Sequence, residues 1–271
     1  MDRWPRFAED LDEDIGLRWG GNITYCSDPD EGKRLASECE RLNSWGYSAR
    51  LISSEELSKL EPNLEIGQFH TGIYTREEGH VLPVKVAEAC MNQIDAAGGK
   101  LHIGTEVESI SQDGDKVILH SSDGHMEFDK VVIAAGTDST SLALTAGINL
   151  PQRRSPGVVV KTNPLPSFIK NLSTIYLPAL SKEEKELHIR QSTDGVVMIG
   201  AGDQESEAED DSQEYADKLI QRASLHFNQL SGVDAIRVPV GFRPMPEDGL
   251  PVIVSSPPIN YIYLTLLHSG V

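Results

Sequence analysis

The stretch Gly241-Phe242-Arg243-Pro244-Met245-Pro246-Glu247-Asp248-Gly249-Leu250-Pro251-Val252-Ile253 holds the residue best suited to recognise a ligand. Its prolines and glycines impose a fixed path on the backbone. Arg243 stands between an aromatic residue and a proline in apolar surroundings. A guanidinium buried there must be paired with an internal acceptor or with an anionic ligand. Local sequence supports both readings equally: a structural arginine bonded to backbone carbonyls, or a clamp for a carboxylate.

A second stretch, Val131-Val132-Ile133-Ala134-Ala135-Gly136, is a continuous apolar run with a small-residue end. It predicts a strand buried on both faces. Small residues at the carboxyl end of such a strand let a nucleotide approach the backbone, although plain strand–helix packing asks for the same residues. Other chemistries are excluded. There is no G-x-S-x-G nucleophile elbow and no P-loop. His120 and His125 flank a turn without the partners a zinc site needs, so no metal site is expected. Gly200-Ala201-Gly202 opens like a dinucleotide fingerprint, but acidic residues follow it and would repel a pyrophosphate. No catalytic acid–base pair emerges.

The elements that must position these residues follow from periodicity. Asn22–Cys26 reads as a strand. Residues 30–45 read as a helix with Leu35, Cys39 and Leu42 on one face, and Ser53 caps another helix that ends at Glu61-Pro62. Pro83 opens a helix whose apolar face is Val84, Ala87, Met91 and Ile94. Residues 100–107 read as a strand, and 116–120 with 125–128 as a hairpin. Strands at 158–162, 187–190 and 196–200 predict an antiparallel sheet, and 215–230 an amphipathic helix. A last strand covers 261–267.

Bulk properties narrow the partners. The net charge of −18 over 271 residues opposes nucleic-acid binding and docking on anionic membranes. No run of 18 apolar residues is present, so no membrane span is expected. The N-terminus lacks a signal-peptide pattern, and Cys26, Cys39 and Cys90 follow no disulfide framework. A cytoplasmic protein with reduced thiols is expected.

Six segments in order carry a resemblance: Glu78–Pro83 before a helix, Thr105–Ile110, Asp129–Thr137, Asp194–Gly200, the Arg243 stretch and His268-Ser269-Gly270. Together they resemble the FAD-dependent D-amino-acid oxidase/dehydrogenase and glycine oxidase family, over essentially all of residues 10–271. The resemblance implies an α/β (α+β) fold in which an incomplete doubly wound FAD-binding domain interleaves with an antiparallel-sheet substrate domain. Residues 1–77 and 149–240 would form the substrate domain, and 78–148 and 241–271 the FAD-binding domain. Val107, Ala134, Ala135, Gly136, His268, Ser269, Gly270 and Val271 would contact FAD. Arg243 would pair with the substrate carboxylate, which favours the clamp. His188 occupies the strand that carries a substrate-facing aromatic in the family.

The implied reaction is hydride transfer from the amine-bearing carbon of an amino acid or related amine to flavin, followed by imine hydrolysis. No acid–base residue is required if the amine arrives neutral. The chain has no G-x-G-x-x-G loop and no helix after His268-Ser269-Gly270, and both elements hold FAD in the family. That predicts a weakened hold on FAD. Two other readings remain open: a flavin-free carboxylate-binding or partner-binding module, and a chain that an oligomer or a complementing polypeptide completes.

Overall fold

A computed structural model of the chain describes residues 3–181, 184–202, 209–255 and 261–266. The chain divides into two units. The first comprises Met1–Lys100, Val158–Asp203 and Asp210–Pro239, and the second chiefly Leu101–Gly157 and Val240–Val271. These boundaries differ from those expected: the Pro83 helix belongs with the first unit, and residues 149–157 belong with the second.

The opening stretch of the first unit runs α1 (Arg3–Leu11), β1 (Arg18–Trp19), β2 (Asn22–Cys26), α2 (Pro29–Ser44), β3 (Ala49–Ile52), α3 (Ser54–Leu60), β4 (Thr71–Thr75), β5 (Gly79–His80) and α4 (Pro83–Ala96). The second unit then begins with β6 (Val107–Asp113), β7 (Lys116–Ser121), β8 (Gly124–Phe128), β9 (Val131–Ile133), α5 (Ser139–Thr145) and β10 (Gln152–Gly157). The first unit resumes with β11 (Val159–Lys161), β12 (Thr174–Leu177), β13 (Leu187–Gln191), β14 (Val197–Ala201), α6 (Gln213–Ser224) and β15 (Ile236–Arg237). Strands β16 (Gly241–Pro246), β17 (Val252–Ser255) and β18 (Ile262–Leu266) return to the second unit.

Most of the first unit hangs on an eight-stranded sheet of order β15-β11-β14-β13-β12-β2-β4-β3. Every pairing is antiparallel except the seam between β12 and β2, which is parallel. One face is apolar: Ile175, Leu177, Leu187, Ile189, Val197 and Ile199 are buried with Ala216, Leu219, Ile220 and Ala223 of α6. Those α6 positions recur at i, i+3, i+4 and i+7, the stripe an amphipathic helix turns to a core. Ser212 caps α6 by accepting from the Tyr215 amide. Helix α6 stops at Ser224, short of the 230 expected, and a 3-10 turn at Asn228–Leu230 completes the segment. Helix α2 is capped by Asp28 and packs Leu35 and Cys39 against Cys26, Ala49 and Ile73.

Two expectations about burial are corrected. Val84 is 70 % exposed and Ile94 lies outside, whereas Val86, Ala89 and Cys90 face Ala8 and Leu11 of α1. The helix rotates to meet α1, an element that periodicity does not announce. In the second unit Val132 is 62 % exposed, so β9 is not buried on both faces. Among the described residues it is the edge of a three-stranded sheet of order β17-β18-β9, parallel to β18. Residues 100–106 are not a strand; β6 starts at Val107 and forms a meander with β7 and β8. The last strand, β18, keeps the expected position at Ile262–Leu266. The core of this unit gathers Ile110, Val117, Ile133, Ala143, Ile148, Leu150, Ile262 and Leu264. No helix among the described residues is long and apolar enough to cross a membrane.

Candidate functional site

Within the second unit, four of the expected ligand-contacting residues share one core and its margin. Ile133, the last residue of β9, is buried, and Ala134 and Ala135 beyond it are exposed. Gly136 follows at φ +59, and a Cβ built there meets nothing within 4 Å. This end of the strand thus carries only small residues, and among the described residues nothing crowds Gly136. A 3-10 turn, Gly136–Asp138, leads into α5, and Gln152 of β10 fixes it by donating to the Thr137 carbonyl at 2.7 Å. Val107 packs on the same core from the start of β6, where the pairing register with β7 shifts between Val107 and Ser109.

Arg243 sits in β16, paired in register with Ser155 of β10, and β16 packs beside the Gly136–Asp138 turn. Its Nη2 donates to the Pro156 carbonyl at 2.6 Å. The guanidinium lies against Gly157, where a Cβ would come within 3.3 Å of Nη2. The stretch expected to follow a fixed path is therefore a strand, and its arginine is oriented by the neighbouring strand. His268, Ser269, Gly270 and Val271 lie outside the described residues.

In the first unit, strand alternation sends Leu187, Ile189 and Gln191 to the α6 face and His188 and Arg190 to the other. Register sets His188 beside Tyr176 on β12 and Gly200 on β14, and Arg190 beside Met198. The Tyr176 and His188 rings are 6.1 Å apart between centroids. A Cβ on Gly200 would fall 2.4 Å from His188 Cε1 and Nε2. Gly200 therefore gives the imidazole its resting place, a packing duty unrelated to a dinucleotide fingerprint. Gly200→Ala is expected to cost about 1–2 kcal/mol by overpacking against that ring. In a His188→Ala background the cost should nearly vanish; an unchanged penalty in a denaturation series would refute the contact.

This polar face is electrostatically unusual. Arg190 is half-buried, its Nη2 donates weakly to Met198 Sδ at 3.6 Å, and burial pushes its pKa down. Tyr176 is pushed up by burial, and Glu78 is pushed up by burial as well. His80 in β5 is 7 % exposed. Its Nδ1 lies 3.0 Å from the Ser173 carbonyl, an acceptor only, so Nδ1 carries the proton and Nε2 presents a lone pair. Burial, then the Arg190 and Arg18 guanidinium groups, push the His80 pKa down to about 4. Arg18 spends its donors on the carbonyls of Gln191 and Ile169, at 2.7 and 2.5 Å. Sequence alone singles out His188 and passes over Arg190, although the alternation of Leu187, Ile189 and Gln191 with His188 and Arg190 places both on one face.

Comparison with known proteins gives one answer. The pattern of the DAO family, described as FAD dependent oxidoreductase, matches residues 1–271. One of the subunits of opine oxidase from Agrobacterium tumefaciens (strain Ach5) is 27% identical over 277 residues, which span 99% of this chain and 71% of that protein. Glycine oxidase of Geobacillus kaustophilus (strain HTA426) is 25% identical, spanning 97% of this chain and 69% of that one. The crystal structure of glycine oxidase from Geobacillus kaustophilus superposes with a TM-score of 0.84 at 23% identity, covering 99% of this chain and 72% of that chain. A chain that carries the family pattern along its whole length, on the fold of a glycine oxidase, belongs to the DAO family of FAD dependent oxidoreductases, and FAD is its cofactor.

Proposed function

We propose that the protein oxidises the C–N bond of an amino acid or related amine, with FAD held by the second unit. The observation that carries this reading is the end of β9, where Ala134 and Ala135 are exposed and, among the described residues, nothing lies within 4 Å of a Cβ built on Gly136. That opening fits the close approach of a nucleotide. Ala134, Ala135, Gly136 and Val107 are the residues that would hold FAD. When bound, FAD supplies the two-electron oxidant that accepts a hydride from the amine-bearing carbon.

The chain's own part is binding and orientation. Arg243, held in direction by the Pro156 carbonyl and by Gly157, is suited to fix a substrate carboxylate through a charge-assisted pair. In the first unit, taken by itself, His188 and Tyr176 form an aromatic pair on the large sheet, the second place where a ligand's apolar body could rest. Orientation of this kind places the C–H bond for transfer without any protein acid or base. The similarity to glycine oxidase and to an opine oxidase supports amino acids as the substrate class. The opine oxidase relative is named as one subunit of its enzyme, which supports work alongside a partner chain.

The test is anaerobic flavin reduction by amino acids in protein supplied with FAD. Arg243→Ala should lower kcat/KM about a hundredfold for an amino acid and leave the matching amine, without its carboxylate, nearly unaffected. Equal rates for wild type and variant would overturn the role of Arg243. No reduction by any amino acid or amine would overturn the function.

A further inference from the structure

A half-buried guanidinium that pairs with no acid is costly, because burial removes water from a charge that nothing then balances. Arg190 is half-buried, and among the described residues it pairs with no acid. Among the described residues no carboxylate lies within ion-pairing distance of it. Its one side-chain hydrogen bond among them is the weak contact to Met198 Sδ. The sheet register sets Met198 opposite it on β14 and the Tyr176–His188 pair on the same face; Glu78 and Glu186 act on Tyr176, but neither forms an ion pair with Arg190 among the described residues. The other nearby arginine is occupied, since Arg18 is bonded to two main-chain carbonyls. The neighbouring His80 points no second charge at the site, because its imidazole stays neutral at physiological pH.

We infer that Arg190 is a carboxylate-recognising residue of the large sheet, distinct from Arg243, and that its ligand is the carboxylate of a small aliphatic acid such as an amino acid. The planar fork of a guanidinium matches two carboxylate oxygens at once, which the Met198 thioether and the single phenol oxygen of Tyr176 do not provide. The rings and Met198 bound the place where an aliphatic body rests. Identification of the ligand as an amino acid rests on the proposed function; recognition of a carboxylate does not.

The experiment uses saturation-transfer NMR on the whole chain, with propionate as probe and propionamide as its uncharged isostere. Propionate should bind at least tenfold more tightly than propionamide. Arg190→Met, which keeps an apolar stem beside Met198, should weaken propionate about ten- to hundredfold and leave propionamide unchanged. Arg190→Lys should retain part of the binding, and it carries the test if Arg190→Met does not unfold cooperatively. Because Arg243 is a second candidate anion group, the measurement is repeated in Arg243→Ala, where the Arg190-dependent part of propionate binding should persist. Unchanged propionate binding in Arg190→Met, or equal binding of acid and amide, overturns the inference. Oxidation is scored separately: amino-acid turnover with an Arg190→Met KM equal to wild type counts against Arg190 alone. Arg190-dependent propionate binding without any turnover counts against the proposed function alone.

Discussion

Replacing Glu61 with alanine is expected to destabilise the first unit by about 4 kcal/mol, the largest single loss outside the apolar core. Glu61 is fully buried at the end of α3. One carboxylate oxygen accepts from the Lys170 amide and the other from the Asn171 and Leu172 amides, the latter two at 3.1 Å. Three main-chain donors thus depend on one side chain. Alanine leaves all three without this acceptor, the Leu172 amide buried and the Lys170 and Asn171 amides part-buried, and a buried orphan costs about 1–3 kcal/mol. The segment they belong to is tied again by Gln191, whose side-chain oxygen accepts from the Phe168 and Ile169 amides. Glu61→Gln keeps one acceptor oxygen and should recover part of the loss. Urea denaturation followed by far-UV circular dichroism checks the pair. A loss below about 1 kcal/mol for alanine, the low end of the cost of one orphan, would show that the loop re-pairs elsewhere.

The second large effect is a dependence on pH. His80 titrates at about 4 in the folded chain, against about 6.5 when unfolded. The unfolded state takes up the proton first, so protonation favours unfolding. Stability from this residue is complete above about pH 6.5 and is lost as pH falls towards about 4. The full difference is about 3 kcal/mol. Burial pushes His226 down as well, so it adds a smaller slope of the same sign. His80→Asn retains a donor for the Ser173 carbonyl and does not titrate. Its denaturation midpoint should therefore change less than that of the wild type between pH 7 and pH 5. Parallel pH profiles for the two proteins would refute the assignment.

Much of the fold is legible in the sequence where a local signal meets a local cause. Ser53 and Glu56 form the capping box that starts α3, and Asp28 caps α2, because capping needs only neighbours in sequence. The hairpin of β7 and β8 closes at Ser121 and Gly124 as its turn residues demand. Faces set by distant partners are less legible. The buried side of α4 differs from its most apolar stripe because α1, which covers it, is an element of mostly polar residues. The run Val131–Ile133 is as apolar as a central strand, yet its only neighbour among the described residues is β18. Composition reports what a strand could bury and not what covers it.

The candidate site divides the same way. Arg243 and the Ala134–Gly136 end announce themselves, since prolines and small residues are rare signals with a narrow physical meaning. Arg190 and His80 do not. Arg190 looks like any polar residue on an alternating strand until the register shows which neighbours it lacks. His80 becomes unusual only through burial and two arginines, one of them 62 positions before it in sequence and one 110 after it.

The parallel seam of the large sheet also has a kinetic side. Strand β2 meets β12 there, and Ser173 Oγ bonds the Gly21 carbonyl across 152 positions, with Leu101–Gly157 of the second unit interposed. During synthesis β2, β3 and β4 leave the ribosome long before β12 does. Closure of a loop that long is entropically slow, so joining the two halves is expected to limit the rate of folding. Until then one edge of β2 stays unpaired, and the newborn chain is at its most vulnerable to pairing with the wrong strand.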